Sequence, residues 1–145
     1  YRLVYVEDPL HEDAFEKFAE LRKRAAGTLI CGDDLLVTNT ARIEKAVELG
    51  SANAMIVKTN QVGTLSDSRR AVEKAQSSGY VTVMSHRSGE VSTGELAQIA
   101  VGLSCPVIKC GVIGGERISK LNELIRIEED AEKRKLLAGM AKIPG

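Results

Sequence analysis

Five places in the sequence set chemically capable side chains directly after a short apolar run. Val6 leads into Glu7 and Asp8, Cys31-Gly32 into Asp33 and Asp34, and Val57 into Lys58, with Asn60 and Gln61 just beyond. Met84 leads into Ser85-His86-Arg87-Ser88, and Ile108 into Lys109. Pairs of carboxylates are hard oxygen donors and suit Mg2+ better than zinc. A lysine that ends an apolar strand near other cations, partly shielded from water, suits a general base. His86, Arg87 and Ser88 form a compact donor cluster for a phosphate, and Lys109 adds a second fixed positive charge. Together these residue types suit a metal-assisted reaction on a small phosphorylated carboxylic acid. Each has a plainer role when taken singly. An acidic strand end is commonly a solvated turn or a helix cap, and a terminal lysine commonly snorkels to water. Ser85–Ser88 also suits a polar turn with His86 as a structural histidine. The functional reading rests on the coincidence of all five. His11 has no such company and reads as a surface loop residue.

The elements that must position these groups alternate along the chain. Strands are predicted at Leu3–Val6, Thr28–Cys31, Ala54–Lys58, Tyr80–Met84 and Pro106–Ile108. The first helix is predicted over Asp13 to Ala25, where Ala14, Phe18, Leu21 and Ala25 share one face. Further helices are predicted from Thr38 or Asn39 to Leu49, Ser66 to Ser78, Gly94 to Leu103 and Arg117 to Leu137, with Gly27, Gly50 and Gly79 as stop signals. This is an α/β fold of five consecutive βα units. Such alternation implies a parallel sheet with right-handed crossovers and strands buried on both faces. All C-terminal strand ends of a parallel sheet lie on one side, so the five polar sets are predicted to converge at the face where α/β proteins bind ligands.

Composition removes several functional classes. Twenty basic residues balance twenty acidic ones, so no general basic field is available for nucleic acid or for an anionic membrane surface. No apolar run approaches the roughly 18 residues of a membrane span, and no signal-peptide pattern opens the chain. Cys31, Cys105 and Cys110 are odd in number and lack C-x-x-C spacing, so they read as inert or buried thiols. A cytoplasmic location is the expectation. With 3% aromatic residues and no Trp, the core is predicted to be aliphatic. A length of 145 residues suits one ordinary domain.

Six segments, taken in order, resemble the enolase family. They are Val6-Glu7-Asp8-Pro9, Gly32-Asp33-Asp34-Leu35-x-Val37-Thr38-Asn39, Val57-Lys58-x-Asn60-Gln61-x-Gly63-Thr64, Ser85-His86-Arg87-Ser88-Gly89-Glu90, Ile108-Lys109 and Glu116-Arg117-x-x-Lys120-Leu121-Asn122-x-Leu124-x-Arg126-Ile127-Glu128. Their order and spacing cover essentially the whole chain, and Gly111–Gly115 resembles archaeal members. The resemblance implies the C-terminal part of an enolase-type (β/α)8 barrel, and with it Mg2+-dependent dehydration of 2-phosphoglycerate to phosphoenolpyruvate. Glu7 and Asp33 match two of the carboxylates that hold Mg2+, and Lys58 matches the base that removes the proton alpha to the substrate carboxylate. His86, Arg87 and Ser88 match the group around the phosphate. Lys109 matches the lysine that pairs with the substrate carboxylate and the developing enediolate. The family is commonly dimeric, so a homo-oligomer is expected.

The resemblance also implies that residues 1–145 form an incomplete barrel, lacking the N-terminal domain and the first barrel strands, which carry the third metal carboxylate and the acid glutamates. Five strands cannot close a barrel of eight. The isolated chain is therefore expected to be inactive. The alternative is a non-catalytic partial barrel used for binding or assembly. Val91–Glu95 departs from the family pattern at the start of the fourth helix.

Overall fold

The structure is a computed structural model and describes residues 2–139. Its elements run β1 (Tyr5–Glu7), α1 (Phe15–Arg24), β2 (Leu29–Gly32), α2 (Thr40–Leu49), β3 (Ala54–Val57), α3 (Thr59–Val62), α4 (Leu65–Ser77), β4 (Val81–Ser85), α5 (Glu95–Gly102), β5 (Val107–Lys109) and α6 (Gly115–Lys133). The predicted alternation is present, with one addition. The single turn α3 is too short to carry a hydrophobic period, and Gly63 ends it at φ 86°. The strands form one sheet in the order β1-β2-β3-β4-β5, and the pairs β1–β2 and β2–β3 are parallel. The backbone divides into a compact unit that ends at Val83 and a second that begins at Met84.

In the first unit every residue of β2 and β3 is buried, as expected of strands covered on both faces. The edge strand β1 is only half-buried, and Leu3 and Val4 lie exposed ahead of it. The core joins Ile30, Met55, Ile56 and Val57 of the strands to Leu35, Leu36, Ile43 and Val72. It is aliphatic apart from three rings: Phe15 and Phe18, the only two phenylalanines, on α1, and Tyr80 just ahead of β4. Large rings on an amphipathic helix are the side chains with most apolar area to bury. Helix α2 settles its ambiguous start. Asn39 caps it, with Oδ1 accepting from the N–H groups of Ala41 at 3.0 Å and Arg42 at 3.2 Å. Gly50 closes it at φ 68°.

In the second unit α5 and α6 pack against each other. A β-carbon on Gly94, at the start of α5, would stand 2.7 Å from Cγ and 2.8 Å from Cβ of Glu123 on α6. The glycine therefore permits the close approach of the two helices. β5 is the other sheet edge and is half-buried throughout. Helix α6 stops at Lys133, short of the predicted Leu137; Leu136 and Leu137 are exposed and have no packing to extend it. Cys31 is buried and Cys105 and Cys110 are half-buried; none of the three is in a disulfide.

Candidate functional site

The ends of β1, β2 and β3 bring one cluster together. The parallel register sets Glu7 beside Cys31, and the Asp8 N–H donates to the Cys31 carbonyl at 3.0 Å. The Asp8 carboxylate accepts from the backbone N–H groups of Asp33 at 3.0 Å and Asp34 at 2.7 Å. Asp8 thus ties two strand ends together. Beyond them the Asp33 carbonyl accepts from Leu36 at 3.1 Å and Val37 at 2.7 Å, closing the turn. Carboxylate oxygens of Asp8, Asp33 and Asp34 lie within 4.8 Å of one another. Glu7 stands next to them: its charge acts on Asp33, and its Oε2 accepts from the Tyr5 hydroxyl at 3.0 Å.

Lys58, directly after β3, reaches this cluster. Its Nζ donates to Asp33 Oδ2, and both side chains are largely shielded from water. The buried Thr38 fixes the strand end behind it, its Oγ accepting from the Lys58 N–H at 3.0 Å. Burial raises the Asp33 carboxyl above the usual carboxylate range. Lys58 opposes that rise, while the charges of Glu7 and Asp34 add to it. Asp33 Oδ1 is buried and has no hydrogen-bond partner. An anionic oxygen left without a donor among other carboxylates fits a hard cation. Cys31 beneath is no nucleophile: burial pushes its thiol up to about 12.

In the second unit the end of β4 meets the end of β5, where the His86 N–H donates to the Lys109 carbonyl at 3.1 Å. Arg87 and Ser88 follow as exposed residues. Helix α6 holds the loop that carries them. The Arg117 guanidinium contacts His86 Nδ1 and donates to the carbonyls of Arg87 at 3.0 Å and Ser88 at 3.4 Å. The buried Lys120 donates from Nζ to the Val91 carbonyl and pairs with Glu90 at 3.5 Å.

Partial burial lowers the affinity of His86 for a proton, as do Arg117, Lys109 and Lys120; Glu90 acts the other way. Burial opposes the charge of Glu90. The N–H groups of Val91 and Arg87, with Lys120, outweigh it and hold the carboxyl below its usual range. Both folded values are depressed, so their stabilisation is complete at neutral pH and is lost as pH falls, first for His86 below about 6.5 and then for Glu90. The contribution of His86, read as the difference in urea-unfolding stability between wild type and H86Q, is expected to be smaller at pH 5 than at pH 7, by under ~1 kcal/mol because the ring is partly solvated.

Of the residues singled out in the sequence, Asp33 and Lys58 are in contact in the first unit, while Glu7, near enough for its charge to act on Asp33, lies outside the cluster of Asp8, Asp33 and Asp34; His86, Arg87, Ser88 and Lys109 lie in the second unit. Sequence reasoning counted Asp8 and Asp34 in the acidic pairs suited to Mg2+ but named only Glu7 and Asp33 as ligands. It took Thr38 for a possible helix cap and assigned no role to Arg117 or Lys120. Their tasks depend on partners about 20–30 residues away in sequence.

Residues 1–144 match the family model described as "Enolase, C-terminal TIM barrel domain". The chain belongs to the enolase family. Its five βα units are accordingly a stretch of an enolase-type (β/α)8 barrel. The chain is 56% identical to an enolase of Natronomonas pharaonis over 132 residues, 90% of this chain and 33% of that protein. It is 53% identical to an enolase of Archaeoglobus fulgidus over 137 residues, 94% of this chain and 34% of that protein. An enolase of Halobacterium salinarum is 54% identical over 132 residues, again 90% and 33%. The chain thus spans about a third of the curated enolases it matches. No described helix is long and apolar enough to cross a membrane.

Proposed function

We propose that this chain supplies the C-terminal part of the catalytic barrel of an enolase, a lyase that dehydrates 2-phosphoglycerate to phosphoenolpyruvate reversibly with Mg2+. The observation that carries the reading is the contact of Lys58 with Asp33 in a carboxylate cluster, in a chain matched along its length by the enolase barrel. Lys58 Nζ is the proton acceptor for the hydrogen alpha to the substrate carboxylate, with Asp33 and Thr38 holding it in place. Lys109 presents a fixed positive charge to the carboxylate as its second negative charge develops. His86, Arg87 and Ser88 bind the phosphate. Glu7 and Asp33 are the ligands this chain offers to Mg2+, with Asp8 and Asp34 close to Asp33. The cation supplies the positive charge that makes a very weakly acidic α-proton removable.

In this reading residues 1–145 are an incomplete part of the active protein, which works in the cytoplasm as a homo-oligomer and receives its remaining barrel strands and acid groups from elsewhere. The test is formation of phosphoenolpyruvate from 2-phosphoglycerate with Mg2+, by the full-length gene product and by residues 1–145 alone. Turnover is expected from the first and none from the second. Absence of turnover from the full-length protein overturns the function, and normal turnover by residues 1–145 alone overturns the need for further segments.

A further inference from the structure

Arg117 stands where α6 begins, with only 19% of its side chain exposed. Its stem lies against Gly111, where a β-carbon would come within 3.3 Å of Arg117 Cγ. From this fixed base the guanidinium reaches three consecutive residues of the loop after β4: the ring of His86 at Nδ1 and the carbonyls of Arg87 and Ser88. A guanidinium has five N–H donors, no acceptor, and keeps its proton at any working pH. The nitrogen it donates to must offer a lone pair, so Nδ1 of His86 carries no proton. The one proton of the neutral imidazole then resides on Nε2.

We propose that Arg117 is a positioning residue that shapes the His86–Ser88 loop through its carbonyls and locks His86 in the Nε2–H tautomer, so that the ring presents a hydrogen-bond donor to a phosphate. The proposal rests on the reading of His86, Arg87 and Ser88 as the phosphate-binding group. The surroundings agree with a neutral ring. Three cations, Arg117, Lys109 and Lys120, act on His86 against the single carboxylate of Glu90. Arg117 itself need not touch substrate. Its two carbonyl contacts keep Arg87 and Ser88 in one backbone arrangement, and its ring contact selects which nitrogen of His86 donates.

The experiment is long-range 1H–15N correlation spectroscopy of the full-length gene product labelled with 15N-histidine, with the His86 signals assigned from H86Q. At pH 7 the expected pattern is a protonated Nε2 and an unprotonated Nδ1. Arg117→Met keeps the apolar stem and removes every donor. It is expected to give a mixture of tautomers and to raise KM for 2-phosphoglycerate about tenfold, the loss of one charge-assisted hydrogen bond, with a smaller change in kcat. Arg117→Lys, with one ammonium in place of the fork, is expected to recover only part of both. A His86 protonated at Nδ1 in the wild type, or a His86 spectrum unchanged in R117M, overturns the proposal. The wild-type spectrum decides the tautomer even if a variant fails to fold. A protein that lacks dehydration activity yet has the expected spectra supports the tautomer lock and overturns the proposed function instead.

Discussion

Lys58→Ala in the full-length gene product is expected to lower kcat for phosphoenolpyruvate formation by about 10²- to 10⁴-fold, the range a positioned general base contributes. The substitution removes the amine proposed to take the α-proton, and no other amine is held on Asp33 among the described residues. It also removes the cation from Asp33, a buried carboxylate beside Asp8 and Asp34. A loss of activity from alanine alone could therefore reflect a disturbed carboxylate cluster. Lys58→Arg separates the two roles. Arginine restores a positive charge opposite Asp33 but cannot give up its proton to serve as a base. The expected outcome is that K58R recovers thermal stability relative to K58A and remains as inactive. A K58R protein with wild-type kcat, measured by absorbance of phosphoenolpyruvate, would remove Lys58 from the role of base.

The second large effect concerns stability. Lys120→Met is expected to cost about 3–5 kcal/mol, the range for removing one partner of a buried ion pair. Lys120 is 1% exposed, although lysine is rarely buried without a partner. Its ammonium pairs with Glu90 and donates to the Val91 carbonyl, so methionine of similar length leaves a shielded carboxylate and a carbonyl without their donor. Glu90 keeps the N–H of Val91 at 3.1 Å and the weaker one of Arg87 at 3.4 Å, which do not replace a full charge. Glu90→Gln is expected to cost less, because the amide oxygen still accepts from one of those two N–H groups and no uncompensated charge is left behind. The double variant K120M/E90Q is expected to be more stable than the sum of the two losses implies, since the uncompensated carboxylate is gone. Urea denaturation of the four proteins measures the cycle. A loss below about 1 kcal/mol for K120M would mean that the pair is effectively solvated.

Arg117 and Lys120 act on the same loop from one face of α6, and the sequence does not advertise either of them. Both lie in a charged helix where arginines and lysines are common, and Arg126 in that helix merely pairs with Glu123 on its own surface. The Ser85–Ser88 segment was easier to single out, because four polar residues after an apolar strand are unusual wherever they point. Asp8 and Thr38 show the same limit in reverse. Each was visible as a polar residue at an element end, but an acid after a strand and a threonine before a helix have local tasks that are just as common. Asp8 instead accepts from the turn after the next strand, and Thr38 holds the end of β3.

Hydrophobic period and stop signals are local properties, so the alternation of strands and helices, the residue types at the strand ends and the membership of the enolase family were all determined by the sequence by itself. Even there a single turn such as α3 escaped, because four residues carry no period. Which atoms meet is not local. Lys58 and Asp33 are 25 residues apart and Arg117 and His86 are 31 apart, and each contact depends on how neighbouring βα units are registered and packed. Protonation follows from those contacts. The raised Asp33 carboxyl and the lowered proton affinity of His86 arise from burial and from charges brought close by the fold, which only the tertiary structure decides.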